Sequence, residues 1–345
     1  MEDSTRGRAT RGRFLSAAGV TGAALAAGAW RTDVAGAAPR ASKPARPSHA
    51  AGHFALELDG KGAGLVESVE GGAAVGTVVR ELGRNTYYQK KHIGNVKYEE
   101  ISFQAGTGLG KAFYDWVSEM LSGRGSRRSG AFVSTDFNYK ELSTMSFQQA
   151  LLTAVTFPAL DAGAKETAYL TVEVAPETTR ILSGSGATLK QVGGAKQKMW
   201  SPANFRFGIK GIDTSKVSKI DALTVKQTAA TGETGENRDV ELEPGKIEFP
   251  NLAIMLPESN AGSFYDWHED FVIGGNSSDE SERNGEIVYL ASDQKTELAR
   301  LDLFNLGIFK IAPEKQEANV EQIRRVKAEM YCERMSFTWL GETIA

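Results

Sequence analysis

Apolar and polar residues alternate along "FALELDG" (54–60) and again along "FRFGIKG" (205–211), and both runs stop at a glycine. A period of two predicts half-buried strands. "NVKYEEISFQ" and "KIEFPNLAIM" continue the strand pattern, with Pro250 in the second predicting an interruption or an edge. The period then lengthens. Leu109, Ala112, Phe113, Trp116, Val117, Met120 and Leu121 recur as one face of a helix does, and Gly123 supplies its end. A second helix is predicted with Phe264, Trp267, Phe271 and Val272 on its stripe and Gly274 after it. Strand patterns return in "SGAFVSTDF", "TMSFQQALLTAVTF" and "AYLTVEVAP", and later in "NGEIVYLAS", "LARLDLFNLGIFKI" and "RRVKAEMYCERMSFTW".

These patterns occur in the same order twice. The letters "FYDW" stand at Phe113–Trp116 and again at Phe264–Trp267, 151 positions later. In that register Phe54, Leu56, Leu58 and Gly60 fall on Phe205, Phe207, Ile209 and Gly211, and Ile101 and Phe103 fall on Leu252 and Ile254. Beyond the helices the second copy is longer by four or five positions, and Leu170, Val172 and Val174 meet Val326, Ala328 and Met330. A period this long is a repeat of whole domains, because each copy is large enough to bury a core. The expected domains are 54–182 and 204–345, joined by a Gly/Ser/Lys-rich linker at 183–203. Phe113, Trp116, Phe264 and Trp267 are expected to anchor one helix onto the sheet of each.

The first fifty residues differ from the rest. A basic start leads into a charge-free run from Phe14 to Ala29, followed by Ala27-Gly28-Ala29 and Ala35-Gly36-Ala37 as small-residue cleavage sites. That is the layout of an export signal over 1–37, with 38–53 as a flexible linker. Thr10-Arg11-Gly12-Arg13-Phe14-Leu15 resembles a twin-arginine signal, with Gly12 where the second arginine belongs. Arg11 and Arg13 with Phe14 and Leu15 would carry the signal. The alternative is an Ala/Gly/Arg arm that stays attached. A core this rich in glycine and alanine would make a poor membrane span, so no stable membrane insertion is expected.

Positions 1–46 hold eight Lys/Arg against three acids, leaving 32 basic and 40 acidic residues in the remainder. A net −8 body repels phosphate backbones, so nucleic-acid binding by the folded part is not expected. Cys332 is the single cysteine, and with only four histidines the chain lacks the means for a disulfide, a zinc site or a catalytic triad. No catalytic, cofactor-binding or metal-binding residue is identified, and no cofactor is expected. "GTGLGKA" (106–112) has three residues between Gly106 and Gly110 where a phosphate loop needs four, and Ala112 where it needs Ser or Thr; it reads as a turn at a helix start. Asp115 and Asp266 recur, but without a recurring partner they read as charges favourable to a helix dipole. His268 reads as a half-buried packing residue and Cys332 as a small buried hydrophobe.

With these residues in view, each half resembles the tail-tube proteins of contractile phages and related injection systems. The resemblance lies in "KYEEISFQAGTGLGKAFYDWVSEM" and "VTFPALDAGAKETAYLTVEVAPE", and more weakly in "SFYDWHED" and "FKIAPEKQEANVEQIRRVKAEMYCE", where the Asp-Ala-Gly turn is lost. It implies a mainly β (α+β) chain with two tandem tail-tube-like β-sandwich or partial-barrel domains, each with one packed helix. It also implies a structural protein that pairs with itself through strand edges, six domains to a ring. Three chains would then close a ring, which could stack into a tube. Such a protein would be exported to the cell envelope or beyond if the signal works, or assembled in the cytoplasm if it does not. A hub or adaptor of an injection system, or an exported binding module or enzyme, are the alternatives. The loops after the two helices carry opposite charge, Arg124, Arg127 and Arg128 in one and Asp279, Glu280 and Glu282 in the other, and are expected to face each other during assembly.

Overall fold

The computed structural model describes residues 52–81, 87–189, 200–232, 241–314 and 323–341. The expected export signal lies outside them. In chain order the first part contains β1 (His53–Leu58), β2 (Lys61–Gly71), a hairpin of β3 (Ala74–Glu81) and β4 (Lys90–Tyr98), β5 (Ile101–Ala105) and helix α1 (Lys111–Leu121). It continues with β6 (Arg128–Thr135), the long β7 (Glu141–Phe157), the short β8 (Leu160–Asp161), β9 (Leu170–Ala175) and β10 (Thr178–Ser183). The second part contains β11 (Phe205–Ile209), β12 (Lys219–Ile220), a hairpin of β13 (Leu223–Gly232) and β14 (Glu241–Glu248), β15 (Leu252–Pro257) and helix α2 (Gly262–His268). It ends with β16 (Arg283–Leu290), β17 (Glu297–Pro313) and β18 (Arg325–Trp339). The chain is mainly β, and Pro250 falls in the break between β14 and β15.

Antiparallel pairing runs β7–β6–β1–β2–β5–β9 and back to β7, which closes a six-stranded barrel. Closure removes the edges that an open sheet would expose. The later strands follow the order β11–β16–β17–β18–β15–β12, with β8 beside β12, and among the described residues no ladder joins β11 to β12. The ladders share local irregularities. The β7–β9 register slips between Leu152 and Ala154, and the β17–β18 register slips between Ile308 and Lys310. Gln149 (φ 47°) and Asn305 (φ 57°) both hold left-handed backbone, and each lies three residues before its slip.

Helix α1 buries the stripe its spacing predicts, with Phe113 and Trp116 at 0% and 1% exposure. Phe264 and Trp267 are likewise buried on α2. Val272 departs from the expected stripe and is exposed, whereas Phe271 is buried. The cause is a change of winding: α2 ends at His268 and passes into a π-helical turn, Glu269–Ile273, which advances the phase of the apolar face. Asp115 is the fifth residue of α1 rather than part of its first turn, and it forms an i,i+4 pair with Lys111 at 2.6 Å.

The segment expected to be a linker is structured at both described ends. Past β10, Glu141 N–H donates to Ala187 O, Gly184 N–H to Leu142 O and Leu189 N–H to Tyr139 O, so the chain continues alongside the start of β7. Trp200 is buried, with its ring 4.6 Å from that of Tyr289 in edge contact. An indole is too large an apolar surface to leave in solvent, which overrides the linker-like composition around it.

Candidate assembly surface

The strands that depart from a simple two-sheet plan are the hairpins. β13 leaves the second part and pairs with the end of β7, setting Leu223 against Phe157, Val225 against Val155 and Lys226 against Ala154. β14 pairs with its other side. In return β8 pairs with β12, and Lys219 Nζ lies 2.8 Å from Asp161, whose carboxyl is held below its usual range by that contact and by the Gly163 N–H. Leu223 and Val225 are buried, and one continuous apolar core includes residues of both sheets. A row of unpaired backbone groups on β7 is thus satisfied by strand addition within the chain.

Helix α1 crosses the same boundary. Ser118 Oγ donates to Phe337 O at 2.9 Å, and the Tyr114 ring stacks on Trp339 with centroids 3.9 Å apart. Tyr114 lies off the apolar stripe read from the sequence yet is only 2% exposed, and burial pushes its phenol pKa upward. Its counterpart in the second "FYDW", Tyr265, is 37% exposed. Burial of a residue outside the stripe is the signal that a second element covers the helix.

The oppositely charged loops are partly occupied by their own chain. Arg127 pairs with Glu177 at 2.9 Å and with Glu241 at 2.8 Å, and the Leu242 N–H also donates to Glu177, which ties β14 to the barrel. Arg128 pairs with Asp59 and Glu119. On the second loop Glu282 accepts from Asn305 and from the Tyr331 hydroxyl, whose pKa is raised by burial first and by this hydrogen bond second. Arg124, Asp279 and Glu280 lie on the surface, Arg124 within 3.2 Å of Ser122 Oγ. Within one chain the two sets of charges do not meet each other, and Arg124, Asp279 and Glu280 have no ion pair among the described residues.

"GTGLGKA" forms the turn between β5 and α1. Gly110 N–H donates to Ala63 O and Lys111 holds Asp115, so this N–H and this ammonium are engaged within the chain, and Gly106 O accepts from Tyr114. Among the described residues no cluster of His, Cys, Asp and Glu is placed to hold a metal ion, and no helix is long and apolar enough to cross a membrane. His268 is half-buried. Cys332 is buried, and burial pushes its thiol up to about 11, leaving it protonated and unreactive near neutral pH.

The chain is similar to several solved structures. One is the sheath/tube terminator of the PVC extracellular contractile injection system, 16% identical over 40% of this chain and 99% of that one, with a TM-score of 0.35. Another is in the baseplate of the anti-feeding prophage, 15% identical over 40% of this chain and 91% of that one, with a TM-score of 0.32. Hcp1 from Flavobacterium johnsoniae is 12% identical over 39% and 95%, with a TM-score of 0.24. No curated protein matches the chain. Residues 50–180, which contain the closed barrel and α1, match the family model of the T4-like virus tail tube protein gp19.

Proposed function

We propose that this chain is a structural, self-assembling tail-tube-like protein, built from two tandem copies of one tube domain, three chains of which close a pseudo-sixfold ring. The observation that carries the reading is the match of residues 50–180 to the tail tube family together with the addition of β13 to β7. The duplication is supported by the shared strand order, by the register slips at Leu152/Ala154 and Ile308/Lys310, and by the left-handed residues Gln149 and Asn305. A strand contributed by one domain to the next is a head-to-tail contact, and contacts of that kind close into rings when their rotation allows. The role is scaffolding, with no enzymatic step assigned to any residue. Residues 1–37 would direct export, which the N-terminal sequence of protein recovered from its native source tests; an intact start would refute cleavage.

Native mass spectrometry or mass photometry of the purified mature protein is expected to show a species of three chains. A stable monomer at micromolar concentration would overturn the ring.

A further inference from the structure

The two hairpins correspond in position but not in surroundings. β3–β4 stands 151 positions before β13–β14, and both follow the same place in their sheets. The free edge of β13 is taken by β7, whereas β3–β4 forms a two-stranded sheet of its own. Its apolar side chains are left in solvent: Val75, Val78 and Ile93 are 45%, 54% and 65% exposed. An isolated hairpin with exposed valines is marginal in water and needs a third strand or a cover.

The complementary vacancy lies on β17. The end of β7 that receives β13 is Ala154–Phe157, and its counterpart 156 positions later is Lys310–Pro313. β16 pairs with β17 only as far as Leu306, so the following residues keep that edge without a strand among the described residues. Exposure agrees with this. Ala154, Val155 and Phe157 are buried, while Phe309, Lys310 and Pro313 are exposed.

We propose that the β3–β4 hairpin of one copy of this chain adds to the β17 edge of the next copy, in the register that β13 and β7 show within the chain. That register sets Ala74 opposite Ile311 and Val75 opposite Lys310. The occupant is a second copy because the chain already contains both halves of the contact and already makes the equivalent one. The helices carry the same asymmetry. Inside the chain Tyr114 packs on Trp339 and Ser118 on Phe337, and the β10 residues that correspond to Phe337 and Trp339, Ile181 and Ser183, are exposed together with Leu182 between them. Tyr265 of α2 would cover them across the boundary between copies. One geometry, used once within the chain and once between chains, places all domains around a common axis. The inference rests on the ring reading above and names the edges that form it.

A disulfide tests the register. Directly opposed residues of antiparallel strands have Cα atoms about 4.5–5.5 Å apart, within the span a disulfide bridges. Val75→Cys and Lys310→Cys are introduced together in a Cys332→Ala chain; both positions are exposed, so the free chain tolerates them. Mild oxidation at micromolar concentration is expected to yield covalently closed three-chain species, while either single cysteine gives dimers at most. Oligomers that form in the double variant without linking would overturn the hairpin contact and leave the ring standing. Monomers without links would overturn both. A link confined within one chain would place β3 on its own β17 and also overturn the proposal. Hydrogen exchange of the unsubstituted protein supplies a check free of mutations: backbone amides of Ala74–Val79 are expected to gain protection with concentration, and unchanged exchange in an oligomer would sink the contact.

Discussion

Trp116→Ala is expected to lower stability by about 3–5 kcal/mol, the range for removing a buried aromatic and leaving a cavity. Trp116 is 1% exposed and its indole N–H donates to Ser126 O at 2.7 Å, which also fixes the loop after α1. Trp267→Ala falls in the same range from its 3% exposure, but its indole nitrogen has no hydrogen-bond partner among the described residues and its ring instead lies 5.2 Å from the Arg283 guanidinium. The two sites therefore separate when phenylalanine is substituted. Trp116→Phe loses the hydrogen bond and strands the Ser126 carbonyl, costing about 1 kcal/mol more than Trp267→Phe. Urea unfolding of the four variants checks the order. A Trp116→Ala chain with an unchanged midpoint that fails to assemble would make the helix an interface and remove it from the core.

The elements that were legible are those amphipathic on their own terms, whereas β2, β3 and β13 were not read from the pattern. Alternation marked β1, β9 and β11, and the helical stripe marked α1 through Leu109–Leu121. What the pattern could not carry was the destination of each strand. Leu223, Val225 and Gln227 alternate as a strand should, yet nothing in that alternation says whether β13 lies on its own sheet or on β7. Edge pairing is made by backbone groups, which every residue but proline supplies alike. The burial of Tyr114 escaped for a related reason: its cover, Trp339, lies far away in sequence and belongs to another sheet. The π-helical turn after His268 moved Val272 into solvent because winding, unlike composition, depends on how the helix end is packed. The charged loops were legible as opposites, but Arg127 found Glu177 and Glu241 inside the chain. A long-range ion pair leaves no local pattern to read.

Val225→Asp and Ala74→Asp place the same carboxylate at positions 151 apart, and they are expected to fail in different ways. Val225 is fully buried opposite Val155, in the strand that joins the hairpin to the barrel. An unpaired buried charge costs about 3–5 kcal/mol, so Val225→Asp should unfold at markedly lower temperature whatever the protein concentration. Ala74 is exposed, and a surface substitution of this kind changes the free chain by no more than about 0.5 kcal/mol. At the β17 edge of a neighbouring copy the carboxylate would instead face Ile311 and lose its water. Association of the Ala74→Asp chain should therefore weaken by about 100-fold, equivalent to about 2.7 kcal/mol at the contact. Thermal melts at low concentration, paired with mass photometry across a dilution series, read the two effects separately. If Ala74→Asp assembles as the parent does, β3 does not meet β17. If it melts early as a monomer, Ala74 serves the fold of its own chain and the two hairpins are not equivalent.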